Sequence, residues 1–470
     1  MYETLKKYNS KMAWQFLLLV SVIFMIFVVP GSAQTVEENA ASIEGVQTAL
    51  TFVWLLLSGA LVFLMHAGFS LVEIGLTRTK NTANILMKNF MTICLGTIVY
   101  WVVGWGIMYG ADAAGIIGTD QFFLMGAMDN ATWNGWFFQM VFAATGATIV
   151  SGAMAERTKF TAYLVYCILM VGLIYPVYGH WVWSGAGILT TGAIVNAVGA
   201  EFHDFAGSGV VHSIGGYSAL AGVMIVGARI GKFRNGKPLA IPGHSLPFAF
   251  LGTLILCFGW IGFNGGSTLD GNDPYMNLVV VNTFLAAAAG AIMVMLITWI
   301  KTGKPDPSLT ANGMLAGLVA ITASCGSVEN WAAVVIGIIA GIVVYAGVMF
   351  NENVLKVDDP VGAIAVHGYA GSWGLLSVGV FAVGAGNGIL ADAAYTAGQA
   401  GLIYGGVNQF MIQVVGMILS ILWAFIISFI VFKLIDLVIG LRVSEEEEIN
   451  GLDIMEHGVS AYPEFLIAKE

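Results

Sequence analysis

Eleven apolar runs decide what this chain can fold into. They cover about 49–76, 86–110, 134–154, 160–182, 208–228, 246–265, 278–300, 310–325, 331–350, 361–383 and 405–440. In hydrocarbon every backbone N–H and C=O must be paired inside the segment, so runs of this length become helices. Composition excludes a soluble alternative. Charged residues are 10% of the 470 and hydrophobic residues 58%, whereas a soluble globular chain carries about 25% charge. The 60 glycines come with little charge and 10 prolines. That pattern fits helices packed closely through small residues, not low complexity. The expected fold is an all-α polytopic membrane protein with eleven transmembrane helices.

The charges orient those helices. Arg78, Lys80 and Lys88 follow the first run, and Arg157 and Lys159 the third. Arg229, Lys232, Arg234 and Lys237 follow the fifth, Lys301 and Lys304 the seventh, Lys356 the ninth and Arg442 the eleventh. The alternate loops carry no Lys or Arg, and hold Asp112, Asp120, Asp129, Glu201, Asp204, Asp270, Asp273, Glu329 and Asp392 instead. The positive-inside rule puts the odd-numbered loops in the cytoplasm, N-terminus out and C-terminus in. Residues 1–33 read as a signal peptide: Lys6, Lys7 and Lys11, an apolar stretch, then a small-residue cut after Ala33. An uncleaved first helix is the other reading. The transmembrane domain then runs 34–440 and a cytoplasmic tail 441–470. The net charge of −10 is concentrated in the tail and outer loops and points to no nucleic acid.

One local unit occurs twice. Asp204-Phe-Ala-Gly-Ser-Gly-Val-Val-His212 returns as Asp359-Pro-Val-Gly-Ala-Ile-Ala-Val-His367. Asp favours a helix N-cap, because its carboxylate accepts free N–H groups of the first turn. Eight helical residues would carry each His roughly 12 Å inward, close to the midplane of a hydrocarbon core about 30 Å thick. The first copy lies on the fifth run and the second on the tenth, so they point in opposite directions across the membrane. That predicts an inverted repeat, five spans plus five, with one extra C-terminal helix, and a substrate site near the midplane. Two histidines bonded to helix carbonyls is the plain reading. Symmetry-related ionisable groups inside a membrane favour function, since burying them is costly. A neutral imidazole has one donor and one acceptor nitrogen, so two facing rings can share a proton.

Aromatic residues crowd the outer ends of three runs. Phe137, Phe138 and Phe142 lie on the third, Tyr175 to Trp183 on the fourth, and Phe258, Trp260 and Phe263 before Asn264-Gly-Gly-Ser267 on the sixth. An interfacial aromatic belt accounts for part of this. Ring faces under an acidic rim, with a hydroxyl and no basic residue nearby, also suit a small cation. Cys94, Cys167, Cys257 and Cys325 are scattered without CxxC spacing. They read as free thiols, and no metal or other cofactor is expected.

These motifs together resemble the Amt/Mep/Rh superfamily of ammonium transporters, on the Amt branch. The resemblance rests on the two Asp–His units, Gly-Ala-Met-Ala-Glu156-Arg157, Gly-Trp-Ile-Gly-Phe263-Asn264-Gly-Gly-Ser267, and the tail from Gly440 to His457. It implies no enzyme. It implies that Trp183, Phe142 and Ser267 recruit ammonium outside, with Phe138 as a weaker member, and that Phe142 and Phe263 form a gate. His212 and His367 would line the pore, with Asp204 shaping the recruitment site from behind. The same resemblance implies a homotrimer in the plasma membrane of a prokaryote, and a PII-type signal protein docking at the cytoplasmic tail. Ammonium would lose its proton outside and cross as ammonia, the proton following along the histidines. An ammonium sensor and an electroneutral ammonia channel are the alternatives. Glu73, His66, His180, His203 and His244 read as structural. A solvated stretch of tail is the plain reading of Glu445–Glu448, whereas the resemblance implies a tail packed beneath the pore.

Overall fold

In a computed structural model of the chain, residues 36–126, 129–384 and 400–465 are described, with Gln15 besides. The predicted signal peptide and its cut after Ala33 lie outside the described residues. The chain divides into two compact units, Met1–Leu50 and Thr51–Glu470. Apart from Gln15, the described part of the first is the start of a helix; the second holds the site.

Ten helices among the described residues are long and apolar enough to cross a membrane. They are α1 (Val36–Leu76), α2 (Thr79–Tyr109), α3 (Asn130–Ala153), α4 (Phe160–Trp183), α5 (Ser208–Val226), α6 (Leu246–Thr268), α7 (Met276–Thr302), α9 (Asn330–Leu355), α10 (Ile364–Phe381) and α11 (Asn408–Ile439). Between α7 and α9, α8 (Pro307–Ile321) is apolar but shorter. Each matches one of the eleven apolar runs, with shifted ends. α2 begins at Thr79, ahead of the expected 86, because Lys80, Asn84 and Lys88 are tied into polar contacts that hydropathy counts as loop. α8 stops at Ile321, short of 325. Its last turn unwinds, and the carbonyls of Thr322 and Ala323 accept the N–H groups of Ala206 and Phe205 at 3.1 and 3.2 Å.

Burial ranks the helices. In α3 and α5 83% of the apolar window is buried, against 28% in α11, so α3 and α5 form the middle of the bundle. Contact between α5 and α10 is backbone to backbone. A Cβ on Gly216 would stand 2.1 Å from the amide nitrogen of Gly368. Only glycine permits that approach, and it sets the two histidine-bearing helices against each other.

The basic loops converge at one end. Glu156, after α3, accepts from Arg78 after α1, and from Arg229 after α5 at 3.0 Å. Arg229 also grips Asp358, ahead of α10, with Nε at 2.8 Å and Nη2 at 3.0 Å. Arg157 Nη2 donates to the Asp358 carbonyl at 2.6 Å. The tail returns to this end. Its helix α12 (Glu445–Asn450) starts with a capping box of Ser444 and Glu447. Glu448 is 2% exposed and accepts the Ile230 N–H at 2.7 Å and Arg442 at 2.6 Å. The plain reading of 445–448 as solvated therefore does not hold at Glu448, which is buried between Arg442 and the Ile230 N–H, and the tail is packed there. The acidic loops share the other end, where Thr51 bonds Asp270 and Tyr404 bonds Glu329, both at 2.9 Å.

Candidate functional site

Both Asp–His units fold alike. Asp204 Oδ1 accepts the Gly207 N–H at 3.1 Å, and Oδ2 accepts those of Gly209 and Val210 at 2.8 and 2.9 Å. Asp359 repeats this with Gly362 at 3.0 Å and Ile364 at 2.8 Å. Gly207 and Gly362, three residues after each Asp, have φ of +110° and +78°. A side chain would be strained there, so the unit is Asp-x-x-Gly followed five residues later by His. The helices start only after that glycine, at Ser208 and close to Ile364. The 12 Å rise therefore counted residues that are loop, and each His sits within the first two turns. Both lie in wide, π-type turns, Ser208–Ser213 and Ile364–Tyr369. Phe263 lies in a third, Ile261–Gly265. Such turns re-aim a side chain within a helix.

At the acidic-loop end, a cavity of about 290 Å³ is lined by Phe138, Gln139, Phe142, Trp183, Phe205 and Ser267 among others, and by no basic residue. Trp183 is held by its indole N–H, which donates to the Asp204 carbonyl at 2.8 Å. Burial pushes the Asp204 carboxyl up to about 6, against backbone N–H groups that pull it down. Its two oxygens accept three backbone N–H groups, the partners a carboxylate takes. Ser267 Oγ donates to the Phe263 carbonyl at 2.8 Å, leaving its lone pairs free to accept. Phe142 meets Trp183 edge-on at 6.3 Å and Phe138 at 4.7 Å. It stacks on Phe263 at 4.2 Å and 29°, and both rings are buried.

Beyond Phe263 the ring of His212 stacks at 5.4 Å, then His367 at 5.2 Å. Their Nδ1 atoms are 3.1 Å apart. One must donate and the other accept, so the pair shares one proton in that bond. His212 Nε2 is buried and has no hydrogen-bond partner among the described residues. Trp260, stacked on His212 at 5.3 Å, is fixed by its N–H on Thr322 Oγ1 at 2.9 Å. His367 then opens on a cavity of about 20 Å³, which shares Asn312 and Val361 with an inner one of about 210 Å³. Shared walls thus order the path as outer cavity, Phe pair, His pair, inner cavities.

Several neighbours of these residues in sequence lie elsewhere. Phe258 is 53% exposed, facing away from the path. Tyr178 bonds the Gly416 carbonyl at 3.0 Å, and Trp181 packs on Trp423 at 5.0 Å, both on α11. His180 bonds Met108 O and Asp112, and His244 bonds Thr77 O and Tyr462, as structural residues do. All four cysteines are free. No group of three or more His, Cys, Asp or Glu among the described residues is placed to hold a metal. Trp260 and Phe69, whose ring is 6.0 Å from His367, lacked any sign in the sequence of contact with the histidines.

Comparison with known proteins agrees over nearly the whole chain. The Ammonium Transporter Family model matches residues 53–462. The chain belongs to the ammonium transporter family. The family is one of transporters, not of enzymes, and the ten apolar helices make this member a multi-pass membrane protein. The ammonium transporter Amt2 of Archaeoglobus fulgidus is 48% identical over 441 residues, covering 93% of this chain and 92% of that protein. Amt1 of Haloferax mediterranei is 41% identical, covering 90% and 81%. A solved structure titled "Sensor Amt Protein" superposes with a TM-score of 0.80 at 37% identity, covering 88% of this chain and all of that one. Mep2 of Candida albicans superposes at 0.78 with 28% identity, covering 89% and 91%.

Proposed function

We propose that this chain moves ammonium across the plasma membrane of a prokaryotic cell. Ammonium binds among Trp183, Phe142 and Ser267, with Phe138 beside them and Asp204 supplying negative charge from behind. It gives up its proton near the Phe142–Phe263 gate. Ammonia crosses past His212 and His367, and the proton follows along the pair. A bare cation pays heavily for desolvation in such a passage. Potassium cannot shed its charge, whereas ammonium can. The observation that carries this reading is the continuous order of cation-suited cavity, stacked aromatics, proton-sharing imidazoles and inner cavity. The positive-inside rule adds eleven spans, N-out and C-in, as an inverted repeat of five plus five with α11 extra. We extend the proposal to a homotrimer, with a PII-type signal protein docking at the cytoplasmic end where the tail packs.

Proteoliposomes pulsed with ammonium at zero membrane potential test it. A saturable current is expected with ammonium and none with potassium. The solved neighbour titled as a sensor, 37% identical, favours one second reading, ammonium binding without transport. Binding with no current and no internal pH change would select that reading. No current but internal alkalinisation would select an electroneutral ammonia channel.

Trp183→Leu removes one ring face from the recruitment cavity and the hydrogen bond to Asp204 O. A cation–π contact contributes about 0.5–1 kcal/mol when exposed and about 2 when desolvated, and this cavity lies between the two. Half-saturation is expected to rise about tenfold with some flux remaining, read from the concentration dependence of the current. An unchanged half-saturation would remove Trp183 from the site.

A further inference from the structure

Glu73 lies on α1 among apolar residues and is 3% exposed. Its Oε2 accepts the Ser151 hydroxyl at 2.8 Å, and the Ser151 carbonyl accepts the buried Lys88 ammonium at 3.0 Å. Ser151 thus joins a carboxylate of α1 to a cation of α2. Glu73 also faces the path. With His367, Thr148 and Asn312 it lines the small cavity between the histidines and the inner cavity. That space, about 20 Å³, is enough for one water molecule, which needs polar partners such as these. A group that only anchors α1 to α3 needs a hydrogen-bond acceptor, which glutamine also provides. A carboxylate adds the capacity to take up and release a proton, and an ionisable group buried inside a membrane at such cost is by default a candidate for function.

We propose that Glu73 is the proton acceptor on the inner side of the histidine pair. This rests on the reading of His212 and His367 as a proton path. The N–H bond of ammonium breaks outside and the proton joins a ring nitrogen of the pair. His367 releases a proton through the cavity water to the Glu73 carboxylate, forming its O–H bond. That bond breaks in turn as the proton passes to water of the inner cavity, where it rejoins ammonia. Carboxylate and imidazole are restored, and one ammonium has crossed. Lys88 offsets the charge of Glu73 while it is an anion.

The test uses the full-length chain in proteoliposomes with two readouts, ammonium-evoked current and internal pH. Glu73→Gln is expected to lower the current more than tenfold and leave ammonia flux, now seen as internal alkalinisation. Glu73→Asp is expected to keep a substantial current. If Glu73→Gln does not fold, Glu73→Asp and Glu73→Asn ask the same question with a shorter side chain. Equal currents within either acid–amide pair overturn the proposal while leaving the histidine path standing. Absence of current from the unaltered protein overturns both.

Discussion

Replacing His212 or His367 by alanine is expected to abolish ammonium-selective conduction or to open the path to potassium. The two rings stack at 5.2 Å and share a hydrogen bond of 3.1 Å. Removing either leaves the other with a buried ring nitrogen lacking its partner, which costs about 1–3 kcal/mol. It also leaves an imidazole-sized void. Two outcomes follow from the physics of that void. If it stays dry, the proton path is broken and the ammonium current falls more than tenfold. If water fills it, the barrier to any monovalent cation drops and potassium current appears. Currents from proteoliposomes with each ion separate the cases. Unchanged flux and unchanged selectivity in both variants would rule the pair out as the conducting element.

Asp358→Ala is expected to cost about 3–5 kcal/mol of stability, the usual result of removing one partner from a buried ionic cluster. Asp358 takes three hydrogen bonds from Arg229, through N, Nε and Nη2, at 2.8–3.0 Å. Its carbonyl also holds Arg157. Without the carboxylate, two buried guanidiniums lose their main counter-charge, and Glu156 and Asp359 are left to offset them. Thermal unfolding in detergent reads the loss, and a change below about 1 kcal/mol would contradict it. Function should suffer too, because the next residue, Asp359, caps the helix that carries His367. The pH dependence has a defined sign. Burial alone would raise the Asp358 carboxyl, but Arg157 and Arg229 outweigh it and hold it well below the usual carboxylate range. A group with a depressed folded-state pKa stabilises fully above its unfolded pKa of about 3.9 and loses that contribution as pH falls through the folded value. Asp358→Asn should therefore flatten the acid side of the stability profile and leave the alkaline side unchanged.

Much of this was legible in the chain itself. Hydropathy located eleven apolar segments because lipid makes each helix satisfy its own backbone, a local requirement. Charge sorted the loops into two classes, and the fold gathers Arg78, Glu156, Arg229 and Asp358 from the basic loops at one end. The two Asp–His units announced their caps because a cap is also local: a carboxylate reaches N–H groups three to six residues on. The family was legible in the same motifs.

Only the tertiary structure decided which residues meet. His212 and His367 are 155 residues apart, and they touch because α5 and α10 cross at Gly216 and Gly368. Phe258 and Phe263 stand on one helix, yet Phe258 is 53% exposed and Phe263 lies in the path, re-aimed by a π-type turn. The reason is physical. In a membrane both the packed and the lipid-facing sides of a helix are apolar, so periodicity does not tell them apart. Glu73 shows the same limit from the polar side. The sequence read it as structural; its place beside His367 depends on α1, α3, α6, α8 and α10 closing around a space of about 20 Å³.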